Sequence, residues 1–422
     1  MGGSGRETDG PGGAVGPPPG RAVGGAVRGG TAGAPDVVCL GESMVAFLPS
    51  RPGRLADVPA FTRAVGGAES NTACALAAAG HRVRWISRVG ADGFGDHLVA
   101  AVAAYGVDVS GVRRDPHRPT GVYFRTAADR AGAAHEVVYH RAGSAASAMS
   151  PRNVPYEEAA AGRVLHLTGI TPALSPGCRD LVAALTARRP GRPLVSFDLN
   201  HRPSLWPDPA TARRVLLELA RGADLVFAGE DEAADALDLH GPDAVREALP
   251  EPAVLVVKAG AAGATAFARE AVTGHDVRVR VPAPRVEVVS YAGAGDAFAA
   301  GYLDAALRGL PLAARLAHGH RAAAAVLAVP GDLAPPPGPA APVPVPAPAP
   351  PVAGTGRREA VPGPPPASAT GPVAGPATAP ATAPATAPGG RVGGGGADCG
   401  RLRPGPRRPQ TGPDDDEEVR TR

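Results

Sequence analysis

All 16 aromatic residues of this 422-residue chain fall between Asp36 and Asp332. A packed core needs large apolar side chains, so a core can be built only there. The flanks are of another kind. Residues 1–35 hold 23 Gly, Pro or Ala, and residues 333–422 hold 55 in 90 positions. The second flank runs through Pro-Val and Pro-Ala alternation, a repeated Ala-Thr-Ala-Pro, a glycine run and an acidic Asp-Asp-Asp-Glu-Glu stretch. Such composition buries too little apolar surface to offset chain entropy. The expectation is one folded domain, residues 36–333, between two disordered tails, residues 1–35 and 334–422.

Several classes of function drop out on composition. No run of about 18 apolar residues is present, and the N-terminus lacks the apolar stretch of a secretory signal. No membrane partner is therefore expected. A net charge of +3 argues against a general nucleic-acid binder. Cys39, Cys74, Cys178 and Cys399 lie far apart with no C-x-x-C pair, which argues against zinc or a disulfide framework and for a reducing cytoplasm. Of 43 basic residues, only Lys258 is a lysine.

Short apolar runs rich in β-branched residues mark buried strands at Val37–Leu40, Val83–Val89, Val164–Leu167, Leu194–Asp198, Leu225–Ala228 and Val254–Val257. Helical stretches lie between them: Asn71–Ala79, His97–Tyr105, Cys178–Ala187, Thr211–Arg221, Glu230–Leu237 and Gly295–Leu307. This alternation predicts an α/β fold with a mostly parallel sheet covered on both faces. Residues 44–65 and 120–141 instead alternate apolar and polar residues. They predict antiparallel strands standing off the main sheet as a small β flap over the strand ends, where open α/β sheets place their sites.

Three glycine turns carry the chemistry. In VVSYAGAGDAFAAGYL (Val288–Leu303) a strand is expected to end, followed by a Gly293-Ala294-Gly295-Asp296 turn and a helix. Glycines let backbone N–H groups approach an anion, and a helix N-terminus favours negative charge. A carboxylate there suits a base that deprotonates an attacking hydroxyl better than it suits a phosphate ligand, although an N-cap is the plain alternative. VGGAESN (Val65–Asn71) sets Gly66 and Gly67 before a helix start, and RVGADGFGDHL (Arg88–Leu98) is a third such turn. A dinucleotide fingerprint fits poorly: the third glycine of G-x-G-x-x-G is missing and the turn comes late in the chain. No Walker A sequence is present.

In this order the three turns resemble the signatures of the ribokinase-like PfkB carbohydrate kinase family, over roughly residues 36–332. The resemblance implies a ribokinase-like three-layer sandwich with a β-flap lid, ATP and Mg2+ as cofactors, a possible monovalent cation, and a sugar as the other small-molecule partner. It implies Asp296 as the catalytic base. It implies a sugar pocket from Gly66, Gly67, Asn71, Tyr123, Tyr139, Arg141, Arg202 and Asp332. For the nucleotide and anion hole it implies Arg202, Ser204, Lys258, Gly260, Gly263, Gly293, Ala294 and Gly295. Val137–Ser147 (VVYHRAGSAAS) and Phe197–Trp206 (FDLNHRPSLW) are similar to the 2-keto-3-deoxygluconate kinase subgroup. A keto-acid sugar carries a carboxylate, for which an arginine fork such as Arg141 is well suited. Fructokinase, ribokinase and nucleoside kinase readings stay open, as does a non-catalytic sugar- or nucleotide-binding regulator. Two departures from the family pattern stand out. Ser290, followed by Tyr291, replaces an aspartate before the GAGD turn. Gly229 replaces the asparagine of N-x-x-E, leaving Glu232 as an indirect metal contact. Exposed flap strands would suit a homodimer.

Overall fold

A computed structural model describes residues 33–126 and 136–334. But for residues 33–35 and 334, both expected tails lie outside the described residues. The strands are β1 (Val37–Leu40), β2 (Met44–Pro49), β3 (Phe61–Gly66), β4 (Val83–Gly90), β5 (Val112–Asp115), β6 (Val122–Arg125), β7 (Val137–His140), β8 (Val164–Thr168), β9 (Leu194–Asp198), β10 (Leu225–Gly229), β11 (Val254–Lys258), β12 (Ala264–Arg269) and β13 (Asp276–Val281). The helices are α1 (Ala68–Ala78), α2 (Gly93–Ala103), α3 (Tyr156–Ala159), α4 (Pro176–Thr186), α5 (Pro209–Gly222), α6 (Glu230–Leu237), α7 (Gly241–Ala248), α8 (Ala294–Leu307) and α9 (Leu312–Leu327).

The main sheet has nine strands in the order β13-β12-β11-β10-β9-β8-β1-β4-β5. From β11 to β5 every pair is parallel, and β12 and β13 extend the β11 edge antiparallel. The parallel strands read as unbroken apolar runs because both of their faces are covered. In β1, Val38 and Leu40 join a core with α4, α5, α6 and α7 on one face. Val37 and Cys39 join α1, α2, α8 and α9 on the other. That division is the three-layer sandwich expected from the sequence. The helices start where capping chemistry puts them: Asp92, Ser175 and Asp208 each accept a backbone N–H of the first turn, and Pro176 and Pro209 open α4 and α5.

The lid is a second sheet of four strands, in the order β3-β2-β6-β7. Its outer pairs, β2 with β3 and β6 with β7, are antiparallel as expected, and the correction is confined to the central pair, β2 and β6, which runs parallel. The two strands are far apart in the chain, so no hairpin constrains their direction. A second correction concerns the GAGD turn, which follows irregular backbone and no strand. The N–H of Val289 donates to the carbonyl of Leu327 at the end of α9 rather than to a sheet neighbour. No helix among the described residues is long and apolar enough to cross a membrane.

Candidate active site

The C-terminal ends of β1, β8, β9 and β11 converge beneath the lid, where α8 also begins. A cavity of about 150 Å³ opens there. Its floor carries Gly66, Gly67 and Asn71 at the start of α1, Gly293 and Asp296 at the start of α8, and Arg202 after β9. Its lid wall carries Tyr123 and Tyr139, with Arg141 just past β7 and Asp332 past α9. Every residue expected at a sugar pocket thus faces one space. Of the residues expected on the nucleotide side, only Arg202 and Gly293 line it.

Asp296 is held in the first turn of α8. Asn71 donates to Oδ2 at 2.9 Å and Asn200 to Oδ1 at 3.2 Å. Burial raises its pKa, while the Asn71 hydrogen bond and the charges of Arg202 and Lys258 pull the other way. Gly293 enters α8 at φ +75°, and a Cβ there would lie 2.1 Å from the carbonyl oxygen of Asp332. Only glycine fits that entry. The first-turn N–H groups of α8 have no partner within the helix, which suits an anion.

Lys258 is not free. Its Nζ donates to Asp198 Oδ2 at 2.7 Å inside the fold. It also sits beside α8, since a Cβ on Gly295 would lie 3.5 Å from Nζ. Burial pushes the Asp198 carboxyl up to about 6 while Lys258 pulls it down. Burial opposes the Lys258 charge, but Asp198 and Glu232 outweigh it and raise its pKa. Asp198 Oδ1 is buried without a hydrogen-bond partner. Glu232 folds back to accept the N–H of Gly229 at 3.1 Å and lies 3.8 Å from Arg202. Gly260 and Gly263 turn the chain after β11 with positive φ. Ser204 is exposed on the turn Pro203–Leu205. No three His, Cys, Asp or Glu side chains among the described residues are arranged to hold a metal.

On the lid, the Tyr123 hydroxyl donates to Asp332 Oδ2 at 2.9 Å. Gly66 makes room for it: a Cβ there would lie 2.1 Å from the Tyr123 hydroxyl. Burial raises the pKa of Asp332 against the pull of Arg125 and Tyr123. Arg125, absent from the residues singled out in the sequence, pairs with Asp332 at 3.1 Å. It also donates to Ser290 Oγ at 3.0 Å and to the carbonyl of Pro330. Ser290, one of the two departures, therefore ties the lid to the segment before the GAGD turn. Arg141 lies beneath the ring of Tyr139, 5.6 Å from its centroid, and donates through Nη2 to Glu42. Ser144 holds the other Glu42 oxygen at 2.6 Å. Glu42 was also missed, although an acidic residue two positions past the buried strand β1 is a recognisable signal. Arg141 Nε is buried and has no hydrogen-bond partner.

Glu69, in the same GGAESN turn, is fully buried and takes hydroxyl donors from Thr168 and Thr171 at 2.8 and 2.9 Å. Burial pushes its carboxyl up to about 7, against those two hydrogen bonds. An acid raised in the folded state is ionised first in the unfolded chain. Stability is therefore lost as pH climbs from its ordinary value of 4.5 towards about 7. Glu69→Gln removes that loss. Its melting temperature should gain on the wild type between pH 5 and pH 8, and a pH-independent difference would contradict the assignment.

The family model for the pfkB family of carbohydrate kinases matches residues 34–338. The 2-dehydro-3-deoxygluconokinase of Bacillus subtilis (strain 168) is 35% identical over 302 residues, 71% of this chain and 91% of its own length. Among solved structures, a PfkB protein from Polaromonas sp. JS666 superposes with a TM-score of 0.62 at 36% identity, covering 69% of this chain and 95% of that one. A fructokinase with bound ATP from Xylella fastidiosa superposes with a TM-score of 0.58 at 25% identity, over 70% and 93% of the two chains.

Proposed function

We propose that this chain, which belongs to the pfkB family of carbohydrate kinases, phosphorylates the terminal hydroxyl of 2-keto-3-deoxygluconate at the expense of ATP. The observation that carries the choice of sugar is Arg141: a buried guanidinium on the cavity wall with its Nε–H unpaired. An orphaned buried donor is unfavourable, and a substrate carboxylate would satisfy it with a charge-assisted bond. Glu42 and Tyr139 hold the fork in place, so little side-chain entropy is lost on binding.

Asp296 accepts the proton of the sugar hydroxyl as the new oxygen–phosphorus bond forms and the bond to the ADP oxygen breaks. The N–H groups at the start of α8 stabilise charge on the transferred phosphoryl group. The residues present fit a nucleotide and its metal. The first turn of α8 offers backbone donors, and Asp198 Oδ1 is an orphaned buried oxygen beside Glu232. Asp198 and Glu232 would hold magnesium, which would offset the negative charge of the nucleotide phosphates. Lid closure excludes water. The same reading puts the chain in the cytoplasm with ATP. The exposed Val138 on β7, on the lid face away from the cavity, supports pairing of lids in a homodimer.

A neutral ketose such as fructose is the second reading, favoured by Glu42, which already balances the charge of Arg141. Arg141→Ala separates the two. The loss of a charge-assisted hydrogen bond should lower kcat/KM for the keto-acid sugar by about 10- to 100-fold and leave fructose within about threefold. An equal loss on both sugars would favour the neutral substrate.

A further inference from the structure

Asn200 follows β9 by two residues and is 5% exposed. Its φ is +38°, and only one other non-glycine among the described residues, Asp238, has a positive φ. Asp238 caps the end of α6, where a left-handed residue is ordinary. Asn200 ends no helix. The backbone leading into it is pinned: the Leu199 N–H donates to the carbonyl of Phe227, and the Asp198 carbonyl accepts from Gly169. At a left-handed position glycine is the residue without strain, and asparagine is tolerated less well. The side chain also buries a polar oxygen, Oδ1, with no partner. Both features are unfavourable by themselves, and the one contact they support is the 3.2 Å hydrogen bond from Nδ2 to Asp296 Oδ1.

Asn71 already holds the other carboxylate oxygen from α1. One donor leaves a carboxylate free to turn about its Cβ–Cγ bond, whereas two donors from different elements fix its plane. We infer that Asn200 is a positioning residue for the proposed base, and that its left-handed backbone is the means by which the end of β9 delivers a second amide N–H to Asp296. The inference rests on the reading of Asp296 as the base. Backbone strain kept at a site is expected where the neighbouring structure imposes it for function.

Asn200→Gly tests this, because it relaxes the backbone while deleting the donor. A residue with a structural role only would leave turnover unchanged. The expected result is a kcat lower by about 10- to 100-fold, as for a misplaced catalytic group, with an unchanged sugar KM. The melting temperature should be equal to or above that of the wild type. Losing an N–H that favours the charged carboxylate should also move the acid limb of the rate profile to higher pH. The charged groups facing Asp296 stay in place: Glu69 from α1, Asp198 and Arg202 around the end of β9, Lys258 from β11, and Asp332 after α9. Asn200→Asp, which keeps the shape and sets a second carboxylate against the first, should move the limb further. Wild-type turnover and pH profile in Asn200→Gly overturn the inference, as does a loss of activity matched by a fall in melting temperature. Asp296→Asn run alongside separates the two readings. If it stays active, the base assignment itself fails. If it is inactive while Asn200→Gly is normal, only the role of Asn200 falls.

Discussion

Asp296→Asn should lower kcat by about 10³-fold, the range expected when a positioned general base is removed, with ATP binding close to normal. The substitution keeps the volume and the neighbours of the side chain. Asn71 donates to one oxygen of the carboxylate and Asn200 to the other. In the variant one of those donors meets an NH2 group, a modest local loss. Removing a buried acid whose pKa burial has raised offsets part of it. The melting temperature should therefore change little while turnover collapses. A variant that turns over at half the wild-type rate would remove Asp296 from the chemistry. One that is inactive only because it is unfolded would be seen in the melting curve.

Lys258→Met should have the largest effect on stability. It leaves Asp198, 1% exposed, without the cation 2.7 Å away. Breaking a buried pair from one side costs about 3–5 kcal/mol, much of it the stranded charge, and urea unfolding should report a loss of that order. Changing Asp198→Asn in the same chain removes the stranded charge and should recover most of it. Turnover should stay low in the double variant, because Lys258 also sits beside the first turn of α8 and Asp198 beside the proposed metal. A double variant with restored stability and wild-type turnover would make the pair purely structural. If the single variant is as stable as the wild type, the pair is not the buried contact described here.

The layers of the fold were legible because parallel strands covered on both faces must be apolar throughout, as in Val37–Leu40 and Leu225–Ala228. The edge strands were not. In β13, Arg278 and Arg280 alternate with valine on a strand exposed along one side, and such a run reads equally as loop. Helix α9 could be given no bounds from the sequence because alanines dominate it, and alanine gives little apolar periodicity; it is recognised by its packing on α8. The site followed a similar division. Turns such as GAGD are visible because glycine is required where the backbone must bend or be approached closely. The partners of those turns were invisible. Glu42 meets Arg141 across 99 positions, Asn200 meets Asp296 across 96, and Arg125 meets Ser290 across 165. Only the folded chain sets such pairs. The lone lysine, which the resemblance puts on the nucleotide side, ends β11 and is paired with Asp198, a partner 60 positions away that the sequence does not show.

The choice of sugar is the claim with the most at stake, and one measurement addresses it. ADP release by the full 422-residue chain, with saturating ATP and Mg2+, is compared on 2-keto-3-deoxygluconate and fructose. A buried arginine with a free N–H predicts a kcat/KM at least about tenfold higher for the acidic sugar, the lower bound for one charge-assisted hydrogen bond. A kcat/KM for fructose equal to or above that for the keto-acid would contradict the account.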